Sequence, residues 1–295
     1  MNQAKVSIII GCIIILSLIS SGCFEETTSK EKNTLFVDSE GNEKYTSIQQ
    51  AIDDAPENYT IYVYPGVYNE TITINKTIMV MGENPEETII DGNHLGDVIT
   101  IHDSDSCNVS GFTLQNSKSN GAGIELKTSK NNVTNNIIKN CYNGIHCNRV
   151  EYNSIFNNTF RENTNYAIYI YNSNYNIATK NVFIDNSYGM RIKGSRHNKV
   201  IANHFQDNDH GMYFCCGATN NVAYYNNFIN NSVWNGDDYV GGNTWYNEET
   251  AKGNYWDDYT GSDDNADGIG DTPYNITSDG TKKDNYPLME PIIQS

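Results

Sequence analysis

The chain has 295 residues and is rich in Asn and acidic: 44 residues are Asn, 21 are Tyr, and 36 Asp and Glu stand against 19 Lys and Arg, a net charge of −17. We expect no nucleic-acid partner, because binding phosphates needs clustered Lys and Arg. Evenly spaced Ile, Val and Phe run through the chain, and a disordered protein would lack them. The composition therefore predicts a β-rich, acidic globular protein.

The N-terminal 22 residues have the pattern of an export signal. Lys5 precedes an apolar run over residues 6–19, which fits the core of a signal peptide better than the ~20 residues needed to span a bilayer. Residues 20–23 (Ser-Ser-Gly-Cys) resemble a lipobox, with Ser20 where Leu is usual, so we expect lipidation at Cys23. Simple secretion and an uncleaved anchor stay open, and residues 23–35 are predicted to form a polar tether. All three alternatives place the protein outside the cytoplasm, and two of them hold it at the membrane.

A short helix and several strands are predicted next. Ser47 and Gln50 fit a capping box that opens a helix ending near Ala55, and we expect this helix to cover the open first coil of a solenoid. Strand-like segments follow at residues 61–63, 72–74, 78–80, 89–90, 98–101 and 109–114.

A repeat of about 22 residues then predicts the fold. The pattern Asn-x-(Phe/Ile)-x-x-Asn recurs with starts 23, 23, 22 and 23 residues apart, at Asn135, Asn158, Asn181, Asn203 and Asn226. A second motif keeps the same period, at Gly123-Ile124, Gly144-Ile145, Ala167-Ile168, Gly189-Met190 and Gly211-Met212. Alternating apolar residues follow each copy of the second motif, at Leu126, Cys147, Ile170, Ile192 and Phe214.

Alternation of period two indicates strands, and two or three short strands in each repeat indicate one coil of a solenoid. We predict a right-handed parallel β-helix over residues 36–235, with about eight coils from residue 57 onwards, and an irregular C-terminal cap over residues 236–295. The three Trp residues are expected to pack this cap across the last coil, at Trp234, Trp245 and Trp256.

Two segments resemble a known family. Residues 45–52 (Tyr-Thr-Ser-Ile-Gln-Gln-Ala-Ile) and 62–66 (Tyr-Val-Tyr-Pro-Gly) are similar to the opening of pectinesterase-type and NosD-like β-helix proteins. Residues 253–259 (Gly-Asn-Tyr-Trp-Asp-Asp-Tyr), 267–274 and 284–289 closely resemble the C-terminal end of NosD-like proteins, among them surface proteins of methane-producing archaea. The resemblance implies a β-helix of the pectin-lyase type. It also implies a role in copper handling, only weakly, since most relatives share the fold alone.

An Asp-rich loop in the cap predicts a calcium site. Calcium prefers several hard oxygen ligands at alternate positions of a loop that bends at Gly. The loop lacks the Glu that completes an EF-hand, and an ordinary acidic turn is the alternative. The expected ligands are the side chains of Asp263, Asn265, Asp267 and Asp271 and the carbonyl of Ile269.

A cluster of softer donors is a weaker candidate, for copper. His210, Met212, Cys215 and Cys216 lie within seven residues, and nitrogen and sulfur donors suit cuprous ion. Met212 nevertheless falls on an inward position of its coil, so a core role competes. Beyond residue 23 the chain keeps an odd number of cysteines, so at least one stays unpaired within the chain; they are Cys107, Cys141, Cys147, Cys215 and Cys216.

The outward residue between the inward ones predicts a ligand-binding face. On successive coils this residue is Glu125, His146, Tyr169, Arg191 and Tyr213, and Tyr suits ligands with both apolar and polar parts. A second column near the next corner is Lys139, Glu162, Asp185, Asp207 and Asn230, and carboxylates one coil apart approach the spacing of a retaining glycosidase. No recognisable catalytic signature accompanies the second column.

The leading hypothesis for the whole chain is a surface-anchored protein that binds glycans or surface polymers. A copper-handling accessory protein and a polysaccharide lyase or glycosidase are the alternatives.

Overall fold

The computed structural model describes residues 33–239 and 241–293. Three parallel sheets, here called A, B and C, wind into a right-handed β-helix of about nine coils, which confirms the predicted fold. Sheet A contains Thr34–Val37, Thr60–Val63, Met79–Gly82, Asn108–Ser110, Asn132–Thr134, Ser154–Phe156, Ile177–Thr179, Lys199–Ile201 and Val222–Tyr224. Sheet B contains Gly66–Tyr68, Thr88–Asp91, Thr113–Gln115, Ile137–Lys139, Thr159–Arg161, Val182–Ile184, His204–Gln206, Asn227–Ile229 and Tyr255–Trp256. Sheet C contains Ile72–Ile74, Ile99–Ile101, Ala122–Leu126, Asn143–Asn148, Tyr166–Tyr171, Tyr188–Lys193, His210–Cys215 and Trp234–Asp238.

The N-terminal helix Ile48–Asp54 packs on the first coil, as predicted. The Ser47 side chain accepts from the Gln50 N–H, and the Glu70 carboxylate accepts from the Ile48 and Gln49 N–H groups at 2.9 and 3.0 Å. These bonds satisfy donors that a helix start leaves free. Within the described residues no helix is long and apolar enough to cross a membrane.

Identical inward positions stack coil on coil to form the core. Ile124, Ile145, Ile168, Met190 and Met212 lie in register in sheet C and are fully buried. In sheet B five aromatic rings stack nearly parallel with centroids 4.4–5.0 Å apart, and we call them the ring stack: Phe160, Phe183, Phe205, Phe228 and Trp256. The buried positions therefore repeat with the period of the coil, as the sequence motif indicated.

Most corners have a residue with positive φ followed by a buried residue, usually Asn. At the corner between sheets A and B, residues 135, 157, 180, 202 and 225 have φ between 54° and 57°, and each precedes a ladder Asn. The buried Asn side chains join successive coils at three corners. The AB ladder is Asn136, Asn158, Asn181, Asn203, Asn226 and Asn254; the CA ladder is Asn131, Asn153, Asn176, Asn198, Asn221 and Asn243; the BC ladder is Asn163, Asn186, Asn208 and Asn231.

The ladders correct the predicted register of the first repeat copy by one residue. Asn136, not Asn135, donates to Asn158 Oδ1 from its N–H and Nδ2, at 3.0 and 3.1 Å. Lys139 is consequently in register with Arg161 and not with Glu162. Two adjacent Asn residues made both alignments possible from sequence, and only the inward direction of Ile138 decides between them.

The C-terminal segment closes the last coil. Trp245 and Trp256 are buried and Trp256 stacks on Phe228 at 4.4 Å, so two of the three Trp residues lie where they were predicted. Trp234 instead belongs to a strand of sheet C, which runs through the predicted boundary at residue 235. The two-stranded hairpin Tyr274–Asn275 and Lys283–Asp284 follows.

Asp284 is the main anchor of this cap. Its carboxylate accepts from the Asn254 N–H at 2.6 Å, from Trp256 Nε1 at 3.0 Å and from the Tyr286 N–H at 3.1 Å. Burial raises the pKa of Asp284 to about 6, even though these donors favour the charged form. The carboxylate therefore ties the hairpin to the last rung of the AB ladder.

Candidate functional site

The outward side of sheet C carries the predicted ligand-binding residues, and we call it the sheet C face. Its central column is in register as predicted, from Glu125 through His146, Tyr169 and Arg191 to Tyr213. The column extends beyond the prediction to Thr73, Thr100 and Asp237. Alternation along each strand brings these side chains to one surface, while their neighbours fill the core.

Glu125 and His146 form a close pair at the N-terminal half of this column. Glu125 Oε2 lies 2.7 Å from His146 Nδ1, and the two side chains are only 10% and 19% exposed. The His146 ring stacks on Tyr169 at 5.0 Å. His146 Nε2 is buried and has no hydrogen-bond partner within the described chain, so one polar atom of the pair is left for a further group.

Arg191 lies in the middle of the column, surrounded by aromatic rings. Its guanidinium carbon is 5.2 Å from the ring centre of Tyr166 and 5.7 Å from those of Tyr169 and Tyr213, distances typical of cation–π contacts. Its Nε donates to Cys215 Sγ at 3.3 Å, and Nη1 donates to the Tyr166 hydroxyl. Burial raises the pKa of Tyr169 and of Tyr213 to about 12, so both hydroxyls remain protonated donors at neutral pH.

A second aromatic column runs beside the first and was missed from sequence. Tyr166, Tyr188, His210 and Trp234 are in register. Tyr188 and His210 stack at 4.0 Å, and Trp234 meets His210 edge-on at 4.6 Å. The available signal was the residue just before each Gly-Ile type motif, which is Tyr or His in three successive repeats.

The four soft donors do not converge on one point. Met212 is fully buried in the core, whereas Cys215 lies beneath Arg191 on the outer face. His210 Nδ1 faces the Ser187 carbonyl at 3.3 Å, and Cys216 is exposed in the turn that follows the strand. Across the described ranges, no three His, Cys, Asp or Glu side chains group in a way that could hold a metal ion.

The Asp-rich loop is held by its own backbone. The Asp263 carboxylate accepts from the Asp267 and Gly268 N–H groups at 3.1 and 2.8 Å, and Asp267 Oδ1 accepts from the Ile269 N–H at 2.9 Å. Asn265 Oδ1 also accepts from the Asp267 N–H. Asp271, at the loop's end, accepts from the Asp264 N–H. The predicted ligand set therefore lies in one exposed loop, and calcium binding there stays a prediction.

The predicted column of carboxylates lies at the corner between sheets B and C. Glu162, Asp185, Asp207 and Asn230 all have positive φ and share this position with Asn140, so Lys139 does not belong to the column. Asp185 and Glu162 are exposed, and neither belongs to an ion pair within the described residues. A cleavage site at this corner has no support beyond the spacing of the coils.

The described cysteines are all free thiols. Cys107, Cys141, Cys147 and Cys215 are buried and Cys216 is exposed. Burial raises the pKa of the Cys141 thiol to about 11 and also raises that of Cys147. Cys147 is therefore a core residue, as its inward position indicated.

Comparisons with known proteins agree with this architecture. The catalytic domain of a GH87 α-1,3-glucanase in complex with nigerose matches with a TM-score of 0.59 and 14% identity, over 79% of this chain and 48% of that one. Pectin methylesterase from carrot matches with a TM-score of 0.52 and 13% identity, over 73% of this chain and 89% of that one. At this identity the likeness shows the fold alone.

Curated relatives match over a shorter stretch. The probable pectinesterase/pectinesterase inhibitor 6 of Arabidopsis thaliana is 38% identical over 78 residues, which are 23% of this chain and 14% of the relative. The match thus spans about one seventh of that relative's length. The family model described as periplasmic copper-binding protein (NosD) matches residues 29–261, most of the chain. The chain belongs to the NosD family of β-helix proteins.

Proposed function

We propose that the protein binds glycans along the sheet C face, outside the cytoplasm. The observation that carries the proposal is the cluster of half-buried aromatic rings around Arg191, next to the Glu125–His146 pair. None of these side chains faces the core. Aromatic rings with polar tips, together with a fixed cation, suit a ligand that has both C–H surfaces and hydroxyl groups.

The family and the fold support this proposal in different ways. The NosD family is described as periplasmic, which agrees with the export signal expected over residues 1–22. The attachment expected at Cys23 lies outside the described residues, and we propose that it holds the β-helix at the membrane through the tether. The glycan-acting proteins that share the fold favour a polysaccharide ligand over other ligands.

Binding of a panel of polysaccharides to the mature chain tests the proposal. Tyr169→Ala and Arg191→Ala should each weaken binding about tenfold, as expected for the loss of one aromatic or cation–π contact. Tyr224→Ala on the outer face of sheet A and Arg161→Ala on sheet B are matched controls. Binding of no glycan, or equal losses in the controls, would contradict the proposal.

The same panel separates binding from cleavage. New reducing or unsaturated ends in a bound glycan would make the protein an enzyme, and His146→Gln, which removes the ring next to Glu125, would be the first variant to assay.

Copper handling is the second candidate, because the family is named for it. The predicted copper ligands do not fit this role well. Met212 is in the core, and the Arg191 guanidinium already donates to Cys215 Sγ. Measuring the metal content of the reduced protein distinguishes copper handling from glycan binding. Stoichiometric copper that is lost in Cys215→Ser and Cys216→Ser would favour this candidate over glycan binding.

A further inference from the structure

The charge of the protein is distributed unevenly along the β-helix. Between residues 118 and 199 there are eleven Lys and Arg and four Asp and Glu, a net charge of +7, although the whole chain carries −17. Residues 33–117 and 200–295 each have a net charge of −12. The central coils therefore form a basic region between two acidic ones, and such a region attracts anions.

Most of the basic side chains in these coils lie at one corner, where the chain passes from sheet C to sheet A. We call this corner the basic edge, and its residues are Lys127, Lys130, Arg149, Lys193, Arg196 and Lys199. All but Lys193 are exposed. None of the ion pairs in the described part of the chain involves any of the six. Within residues 118–199 this edge carries one carboxylate, Glu151, which accepts from Asn174 Nδ2. On the coil before, the Asp105 carboxylate accepts from the Ser129 N–H.

Three stacked aromatic rings lie on the same edge. The Tyr152 and Tyr175 rings are 5.1 Å apart, and Tyr175 and His197 are 5.0 Å apart, with all three rings nearly parallel. Tyr152 and Tyr175 are 55% and 42% exposed. All three have φ between 57° and 59°, a conformation that bulky residues rarely adopt.

These rings are not needed by the fold. On the next coil the equivalent residue is Asn220, and Asn is the residue type that tolerates positive φ best after Gly. Tyr at this position leaves about half of its side chain exposed to solvent. Exposed aromatic rings that the corner does not require, next to several unpaired cations, are available to a ligand.

We infer that the basic edge binds an acidic polysaccharide, a linear glycan with carboxylates along its length. Lys and Arg bind the carboxylates, and the hydroxyl tips of Tyr152 and Tyr175 meet the sugar hydroxyls. The edge adjoins the sheet C face, because Lys193 lies 5.5 Å from the ring centre of Tyr171 on that face. The inference rests on the proposed glycan binding and specifies the charge of the ligand.

Nucleic acid fits the edge less well. The rings stack on one another, so their faces are not free for the bases that a single-stranded nucleic acid stacks on aromatic side chains.

A matched pair of ligands tests the inference: polygalacturonate and the same polymer after methyl esterification, which removes the charge. We expect the charged form to bind at least tenfold more tightly at low salt, with the difference shrinking as salt is raised. Equal affinity for the two forms would overturn the inference while leaving the proposed function intact. If neutral glycans bound but no carboxylated glycan did, the inference would fail and the proposed function would stand. If no glycan of either kind bound, both would fail. Tighter binding of a single-stranded oligonucleotide would also overturn it.

Two sets of variants locate the site. Arg149→Glu with Arg196→Glu should weaken binding of polygalacturonate at least tenfold, whereas Lys139→Glu with Arg161→Glu, the same charge change on sheet B, should change it less than twofold. Equal losses in the two pairs would show a non-specific effect of net charge and refute the location.

Tyr175→Asn separates binding from folding. Asn relieves the backbone strain, so the urea midpoint should stay equal or rise while binding of polygalacturonate weakens severalfold. Unchanged binding would exclude the stacked rings from the site and would contradict this part of the inference.

Discussion

Replacing Asn181 by Ala measures what one rung of a ladder contributes to stability. Asn181 Oδ1 accepts from the Asn158 N–H at 2.9 Å, and its Nδ2 donates to the Ile155 carbonyl at 2.9 Å and to Asn203 Oδ1 at 3.0 Å. The substitution leaves the buried Asn158 N–H without a partner and removes a donor from the Ile155 carbonyl. Each lost partner of a buried group costs about 1–3 kcal/mol, so we expect a loss of about 2–4 kcal/mol in the free energy of unfolding.

Urea unfolding followed by the fluorescence of the buried Trp245 and Trp256 is the assay. Asn132→Ala is the matched control, because Asn132 lies on an outward position of sheet A and is exposed. It should cost less than about 0.5 kcal/mol. A loss for Asn181→Ala no larger than that of the control, with equal m-values, would refute the reasoning.

Asn181→Asp tests whether the side chain at position 181 faces hydrogen-bond acceptors. The carboxylate keeps the acceptor role toward Asn158 but turns a negative charge toward the Ile155 and Asn203 oxygens. The loss at pH 7 should therefore exceed that of Asn181→Ala, because a buried charge without a donor is strongly unfavourable. Protonation at lower pH restores one donor, so part of the loss should be recovered; a loss that did not depend on pH would count against the geometry.

Three further predictions concern single groups. Because the pKa of Asp284 is about 6 in the folded protein and ~3.9 in an unfolded chain, the folded state binds the extra proton, and this group's contribution to stability should increase by about 2 kcal/mol as the pH falls from 7 to 4; Asp284→Asn should lack this part of the pH dependence in urea unfolding, and an identical slope would contradict the assignment. Iodoacetamide at pH 8 should modify Cys216 first, since the other four described thiols are buried; early modification of Cys141 or Cys147 by peptide mapping would show that the core opens. If the Asp-rich loop binds calcium, as its sequence predicts, millimolar calcium should raise the unfolding temperature of the parent protein and not that of Asp263→Asn with Asp267→Asn; the double variant Asp185→Asn with Asp207→Asn, of equal charge change, should still respond, and no response of the parent would exclude the site.

The repeat was enough to predict the fold and the central column of the sheet C face. The small residue before Ile124, Ile145 and Ile168 sets the phase of each sheet C strand, and alternation then decides which side chains face outward. In the first sheet B repeat the predicted phase was wrong, because Asn135 matches the whole motif up to Asn140, whereas Asn136, which occupies the ladder, has Cys141 at the last motif position. When two adjacent residues are identical, the register is determined by which of the following side chains faces the core.

Contacts between side chains of different columns could not be predicted from the sequence. The position of Arg191 among Tyr166, Tyr169 and Tyr213 depends on rotamers chosen across three coils, and no spacing encodes them. The anchoring role of Asp284 was missed for a different reason. It lies 30 residues beyond Asn254 in a segment without repeats, so nothing in its local pattern distinguishes it from an exposed acidic residue.

The three ladders share a direction, and all three end on carboxylates. Every rung donates toward the C-terminus, so the last rung of each ladder has a donor with no further coil to receive it. Asn254 donates to Asp284, Asn243 donates to Asp238, and Asn231 donates through Asn235 to Asp257 and Asp258. Without these acceptors each last rung would lose the partner that the next coil supplies elsewhere in its ladder. The aspartates thus take the place of a further coil, so a ladder that repeats without change along the β-helix ends with its amide donors satisfied.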